Sequence, residues 1–537
     1  MLRIILLACV LFAGTRVVAQ LQTGRYIAVT DTESGQVRGF IHNDVYTFKG
    51  IPYGRAERFG AATKPEAWEG VRSSLTYGPV APLLQPVTTV DDESEFVFDH
   101  DWGYTSEDCL VLNVWTPGLD DGKQRPVMFW IHGGGYTAGS SQELPSYHGE
   151  NLAKSGDVVV VSINHRLNVL GFLDLSAYGE AYATSANNSI LDMQLALEWV
   201  RDNIAGFGGD PENVTIFGQS GGGAKVNTLM AMPSAQGLFH KAVNQSGAFR
   251  TELPTRQVTG RIAEETLSQL GLTAETVDSI RTVPFAELSA ASSRALQVVE
   301  TELREAGQQV GGFGLGWGPS LDGTVLPYQT NSAEALALSR DIPLLIGTVK
   351  NEFMPSLRVG LSEAAEPEIM AYVESVHGQR GREFIEAVRA AYPDTDRPSD
   401  LIDVDLLFRP GAVRQANAKA DLPDGAPVYM YLFTWQSPVL NGKYKAIHCI
   451  ELPFVFDNVD RAENMTGGGP EAHALAERVS RAWINFARSG DPNHPGLPTW
   501  EPYTSEGGAT MMLDNDPIIR YHPDRQLLEF NARQSGR

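Results

Sequence analysis

A run of β-branched and aromatic residues, Val214-Thr215-Ile216-Phe217, passes straight into Gly218-Gln219-Ser220-Gly221-Gly222-Gly223 and then into a helix-compatible stretch, Ala224 to Met232. Few chain conformations accept that order. A buried strand that must turn at once into a helix brings backbone against backbone. Side chains two positions before and after the serine would collide there, which is the steric reason for a G-x-S-x-G pattern. The serine is left at the tip, its hydroxyl exposed, with a helix N-terminus behind it that favours negative charge. The pattern alone arises by chance roughly 0.4 times in a chain this rich in glycine and serine, so its weight comes from the strand before it and the helix after it. A phosphate-binding loop is the rival for such a turn. Gly218 to Lys225 is one residue out of register for it, and Val226 stands where a magnesium-binding hydroxyl is required.

A second glycine run follows another strand-like segment, at His132-Gly133-Gly134-Gly135-Tyr136. Bare backbone N–H groups there can face a ligand without interference from a Cβ, as the donors of an oxyanion hole do. Further short apolar runs occur at Pro126 to Ile131, Val158 to Ile163, Ala242 to Asn244, Pro343 to Ile346 and Val428 to Phe433. Most lack period-2 alternation, which suits strands of a mainly parallel sheet buried on both faces. Helical patterns lie between them, such as the one that Ser189 can cap, with Leu191, Leu195, Trp199 and Val200 on one face. The architecture expected is therefore α/β. Asp91 to Asp101 reads as an acidic surface loop, residues 255–310 as helical, and Gly311 to Gly318, with five glycines, as an ordered loop. No repeat and no domain boundary is visible, so residues 20–537 are read as one domain.

Residues 1–19 read as a cleaved secretory signal: Arg3, the apolar run Ile4 to Ala13, and Val17-Val18-Ala19 before Gln20. The run is about half the roughly 20 residues that span a bilayer, and no later stretch is long enough to do so. An exported protein, periplasmic or secreted, is expected. The net charge of −23 argues against nucleic acid or an anionic lipid surface as a partner, because each needs a basic face. Loss of the leader leaves Cys109 and Cys449, which can be paired or free; no C-x-x-C pair suggests zinc.

With these segments on the page, the chain resembles the type-B carboxylesterase and cholinesterase family of α/β-hydrolases over nearly its whole length after the leader. The resemblance runs through Phe48 to Tyr53, Ser106 to Val114, His132 to Tyr136, Asn164 to Leu167 and Gly171 to Leu173. It is most specific in Asn203-Ile204-Ala205-Gly206-Phe207-Gly208-Gly209-Asp210-Pro211, which leads into the serine turn. It implies an α/β-hydrolase fold, a large mainly parallel sheet flanked by helices, with helical insertions forming a pocket over the site. It also implies a Ser-Glu-His triad. Ser220 is the nucleophile, Ile346 to Glu352 matches the acid segment and nominates Glu352, and His448, ahead of Leu452-Pro453-Phe454, matches the histidine. Gly134, Gly135 and Gly221 are nominated for the oxyanion hole. Glu107 and Arg166 match an ion pair that relatives use as scaffold.

Departures from the family pattern are Phe353 in place of glycine after the acid, Gly221 in place of alanine, and Gln219 in place of glutamate before the serine. Gly221 is expected to loosen the backbone slightly. Gln219 removes a negative charge beside the reacting centre, which eases binding of an acyl group carrying its own carboxylates, of the fumonisin-like polycarboxylate kind; it is nominated as the substrate-binding residue. No cysteine after the leader lies upstream of Cys109, so a disulfide usual in relatives is absent. The reaction expected is hydrolysis of a small-molecule carboxylic ester through an acyl-enzyme, with neither metal nor organic cofactor, and with activity falling as pH drops through the histidine pKa. Phe313 to Trp317 are expected near a deep pocket. The alternative is a catalytically silent, cholinesterase-like binding or adhesion protein.

Overall fold

Short apolar segments without alternation form the middle of a twelve-stranded sheet. The protein is represented by a computed structural model describing residues 20–83, 91–249, 252–308, 310 and 313–535; the expected leader, residues 1–19, lies outside them. In chain order the strands are β1 (Leu21–Gln22), β2 (Val29–Thr32), β3 (Gly35–Arg38), β4 (Phe40–His42), β5 (Val45–Pro52), β6 (Val71–Ser73), β7 (Val111–Thr116) and β8 (Arg125–Ile131). They continue as β9 (Val159–Ile163), β10 (Gly209–Gln219), β11 (Lys241–Gln245), β12 (Leu344–Val349), β13 (Val428–Phe433), β14 (Ala509–Leu513) and β15 (Ile518–Tyr521).

The spatial order is β1-β4-β5-β7-β9-β8-β10-β11-β12-β13-β14-β15, while β2, β3 and β6 form a small separate sheet. From β9 to β14 every neighbouring pair is parallel, and the pairs at both edges are antiparallel. Helices between the strands cover both faces, as parallel connections demand. This is the α/β-hydrolase architecture expected from the sequence. The position of β10, between β8 and β11, sets Ser220 at the centre of the sheet's C-terminal edge.

Side chains alternate between two cores. Val127, Phe129, Ile131, Val161 and Ile216 pack into one of them, and Met128, Trp130, Val160, Phe217 and Val243 into the other. In the second core the Trp130 ring meets Phe217 at 5.0 Å and Phe456 at 5.1 Å. Both faces of the central strands are thus dry, which explains why their sequences show no polar alternation.

Two expectations are corrected here. Asp91 to Asp101 is not simply a loop: Asp92–Phe98 is helical, capped by Asp91, whose side chain accepts from the Ser94 amide at 2.9 Å, with Asp92, Glu93 and Glu95 in the first turn. Acidic residues there complement the helix dipole, so the charge run marks a helix start. Glu107 and Arg166 do not pair with each other. Arg166 forms a bidentate pair with Asp192, at 2.8 and 2.6 Å, and Glu107 pairs with Arg58. The helix Asn188–Asn203 brings Asp192, fully buried, to the guanidinium, a partner with no local sequence signal. Cys109 and Cys449 are both free. Among the described residues no helix is long and apolar enough to cross a membrane.

Removing one partner of a dry ion pair strands the other charge. Asp192→Ala is therefore expected to lower unfolding free energy by about 3–5 kcal/mol. Urea denaturation checks this, and a loss below about 1 kcal/mol would class the pair with surface salt bridges.

Candidate active site

The site begins with a backbone constraint. β10 ends at Gln219, Ser220 takes φ 56° and ψ −124°, and the helix Gly221–Met230 starts on the next residue. A positive φ at a residue with a Cβ is strained and persists only where the surroundings impose it. Here the Ser220 amide donates to Gln245 O at 2.8 Å, and Ser220 O accepts from the Ala224 amide at 3.0 Å. A Cβ on Gly222 would fall 2.0 Å from Ile131 O, so the helix start lies directly against the end of β8. A Cβ on Gly221 would fall 2.2 Å from Gly135 O. Glycine at 221 therefore lets the Gly133–Gly135 loop close on the turn.

Gly134 and Gly135 both adopt positive φ, 76° and 63°. Their carbonyl and amide groups are turned by that conformation. Gly134 O accepts from Thr137 and Ala138, while the Gly134 and Gly135 N–H groups have no acceptor among the described residues. These donors lie in the loop that touches Gly221, beside the Ser220 turn.

Two loops beyond the neighbouring strands bring an acid and an imidazole together. Glu352 follows β12, is almost wholly buried, and accepts from the Val349 amide at 3.1 Å through Oε1. Its Oε2 makes a short contact with His448 Nδ1, and its carbonyl accepts from the His448 amide at 3.1 Å. Asn351 locks the two loops: its amide donates to Ala446 O and its Oδ1 accepts from the Ala446 amide, both at 3.1 Å. Burial raises the Glu352 carboxyl and lowers the His448 imidazole, whose protonated form is in turn favoured by Glu451 and Asp405. A dry pocket resists charge on each, and the imidazole is held neutral.

Among the described residues no hydrogen bond joins Ser220 Oγ to the imidazole. His448 Nε2 faces Gln219 Nε2 at 3.3 Å, and Gln219 Oε1 accepts from Cys449 Sγ at 3.3 Å. Gln219 is 0% exposed. Its amide is engaged with the histidine loop, so any influence on substrate comes through the charge it lacks and not through direct contact.

Aromatic rings enclose the other side of the histidine. Phe353 lies 4.6 Å and Phe408 5.1 Å from the imidazole, centre to centre. Phe313 and Phe249 extend this wall, packing on Phe408 at 6.0 and 5.1 Å. Phe313 and Phe353 remain 49% and 45% exposed, an apolar surface beside the reacting groups. A cavity of about 1340 Å³ lies along it, lined by Phe249, Leu253, Leu303, Leu315, Val413 and others, but not by Ser220 or His448. The expected glycine-rich stretch reaches it through Gly314, Leu315 and Gly316. Asn351, Phe408 and Lys225 escaped the sequence reading. Asn351 sits in the matched acid segment but carried no role there, Phe408 sits in no motif, and a lysine five residues after the serine, the only charged residue of its helix, was a visible anomaly.

With this geometry in place, comparison with known proteins is specific. The model of the carboxylesterase family matches residues 27–530. The chain is 36% identical over 515 residues to para-nitrobenzyl esterase of Bacillus subtilis (strain 168), covering 93% of this chain and 97% of that protein. It is 33% identical over 500 residues to phenmedipham hydrolase of Pseudarthrobacter oxydans, covering 91% and 95%. Among solved structures, an esterase from anaerobic Clostridium hathewayi that can hydrolyze aliphatic aromatic polyesters superposes with a TM-score of 0.81 at 38% identity, over 95% of this chain and 98% of that one.

Proposed function

As a member of the carboxylesterase family this chain is a carboxylic ester hydrolase, and we propose that it works through Ser220, His448 and Glu352, with the amides of Gly134, Gly135 and Gly221 receiving the oxyanion. The observation that carries this reading is the Glu352 Oε2 to His448 Nδ1 contact, made between two loops of different strands beside the Ser220 turn.

His448, neutral through burial, takes the serine proton at Nε2 as Oγ attacks the ester carbonyl, and Glu352 stabilises the imidazolium that forms. The carbonyl π electrons move to oxygen, which the glycine amides hold. Collapse expels the alcohol with the proton from Nε2, and water repeats the sequence on the acyl-enzyme. For this, Ser220 Oγ must take the place that Gln219 Nε2 occupies at His448 Nε2. Such hydrogen bonds are commonly loose without substrate and tighten in the complex. The exposed rings of Phe313 and Phe353 favour an ester with an aromatic or otherwise apolar part at this wall.

The finer reading concerns the acyl group. With Gln219 next to Ser220 no carboxylate adjoins the acyl site, which supports acceptance of an anionic acyl group of the polycarboxylate kind.

Ser220→Ala is expected to lose at least about 10³-fold in kcat on a chromogenic short-chain ester. Equal inertness of wild type and variant across acyl lengths would instead favour the silent, adhesion-type reading. Because burial lowers His448, the acid limb of kcat/KM should lie below the ordinary histidine range. A profile from pH 4 to 8 reads this, and a midpoint at or above about 6.5 contradicts it. In an ester panel, Gln219→Glu should depress kcat/KM for dicarboxylate acyl groups about tenfold more than for neutral ones; equal depression removes the argument for an anionic acyl group.

A further inference from the structure

The helix behind Ser220 carries a lysine that the reaction described above does not use. Lys225 is 0% exposed, and its Nζ donates to His132 O at 3.0 Å and to Gly133 O at 3.4 Å. Among the described residues no carboxylate forms an ion pair with it. Removing an ammonium from water costs several kcal/mol, yet its partners here are two main-chain carbonyls of one loop. That loop is the one that carries the oxyanion donors.

A trans peptide points its C=O and N–H in opposite directions. The carbonyl of Gly133 and the N–H of Gly134 belong to a single peptide unit. A cation that draws Gly133 O backwards therefore aims the Gly134 N–H forwards, away from the lysine. The same cation withdraws electrons along the peptide and makes that N–H a stronger donor. We propose that Lys225 is a positioning residue of the oxyanion hole, holding the Gly133–Gly134 peptide from behind and placing a positive charge behind the developing oxyanion. This rests on the Ser220 reading above and deepens it.

The surroundings fit. Glu143 is the group whose charge favours the ammonium, and Tyr147 donates to it at 3.1 Å. The Tyr136 ring lies 5.9 Å from Nζ. Gly133 O also lies 3.0 Å from His132 Nδ1, but His132 and His165, stacked at 4.7 Å, are kept neutral by burial, so the lysine supplies the only positive charge on this carbonyl. Burial pushes Lys225 down to about 7, with Glu143 opposing, so the cation is present in neutral and acid solution and is lost as pH rises.

The test compares wild type, Lys225→Met, Lys225→Gln and Ser220→Ala on p-nitrophenyl butyrate and on a trifluoromethyl ketone of matching chain length. Attack of Ser220 on the ketone forms a C–O bond, moves the carbonyl π pair onto oxygen as an oxyanion and passes the serine proton to His448. Inhibitor affinity thus reads the oxyanion hole. Lys225→Met is expected to lower kcat about 10- to 100-fold, to leave KM within about threefold, and to weaken the ketone by the same factor as kcat. A fall in kcat above neutral pH is also expected of the wild type, and Lys225→Met should abolish it. Lys225→Gln keeps a donor without the charge, and decides the question by the same measurements if the methionine variant does not fold. A kcat within about threefold of wild type, or a loss of kcat with unchanged ketone affinity, overturns the proposal. If Ser220→Ala is inert while the lysine variants are normal, only the lysine inference fails; if Ser220→Ala still turns over, the Ser220 reading fails.

Discussion

Everything at this site depends on one backbone contact: the start of the helix Gly221–Met230 lies against the last carbonyl of β8, at a distance that leaves no room for a side chain on Gly222. Because the two backbones touch, β10 has no space to end gradually. Ser220 is driven into a positive φ, its hydroxyl is lifted off the sheet, and its amide finds Gln245 O on β11. The same closeness brings Gly221 onto Gly135, so the turn and the glycine loop form one contiguous surface. Strain in a single residue is affordable because two parallel strands and a helix fix the residues on either side.

Around that turn the protein manages charge by drying it out. Glu352, Glu143, Glu451, Lys225 and His448 are all buried, and burial shifts each toward its neutral form. In such surroundings a proton moves between groups of nearly balanced preference, and a developing charge is felt strongly by oriented dipoles. The neutral Gln219 belongs to this arrangement. Its amide occupies the imidazole and the Cys449 thiol, where a carboxylate would have added a further buried charge.

Much of this was legible from sequence, and the reasons differ by element. The central strands declared themselves as unbroken apolar runs because both of their faces are covered. The Ser220 turn declared itself because backbone crowding there permits only glycine, and the Gly133–Gly135 loop because the positive φ of Gly134 and Gly135 favours it. Glu352 and His448 carry no such local signature; family resemblance nominated them, and the structure brings the two side chains into contact. Contacts between distant segments stayed hidden. Asp192 as the partner of Arg166, Asn351 as the lock between two loops, and Phe408 on the imidazole each depend on tertiary packing that no spacing encodes. The acidic run after Asp91 misled because charge at a helix start and charge on a loop look alike in one dimension.

The two cysteines have a consequence for how the chain reaches this state. Cys109 is sealed in the core and Cys449 lends its thiol to Gln219, and neither is cross-linked. Among the described residues no disulfide closes a loop, so their native arrangement rests on packing and hydrogen bonding alone. Folding of the described residues therefore waits on no oxidation step.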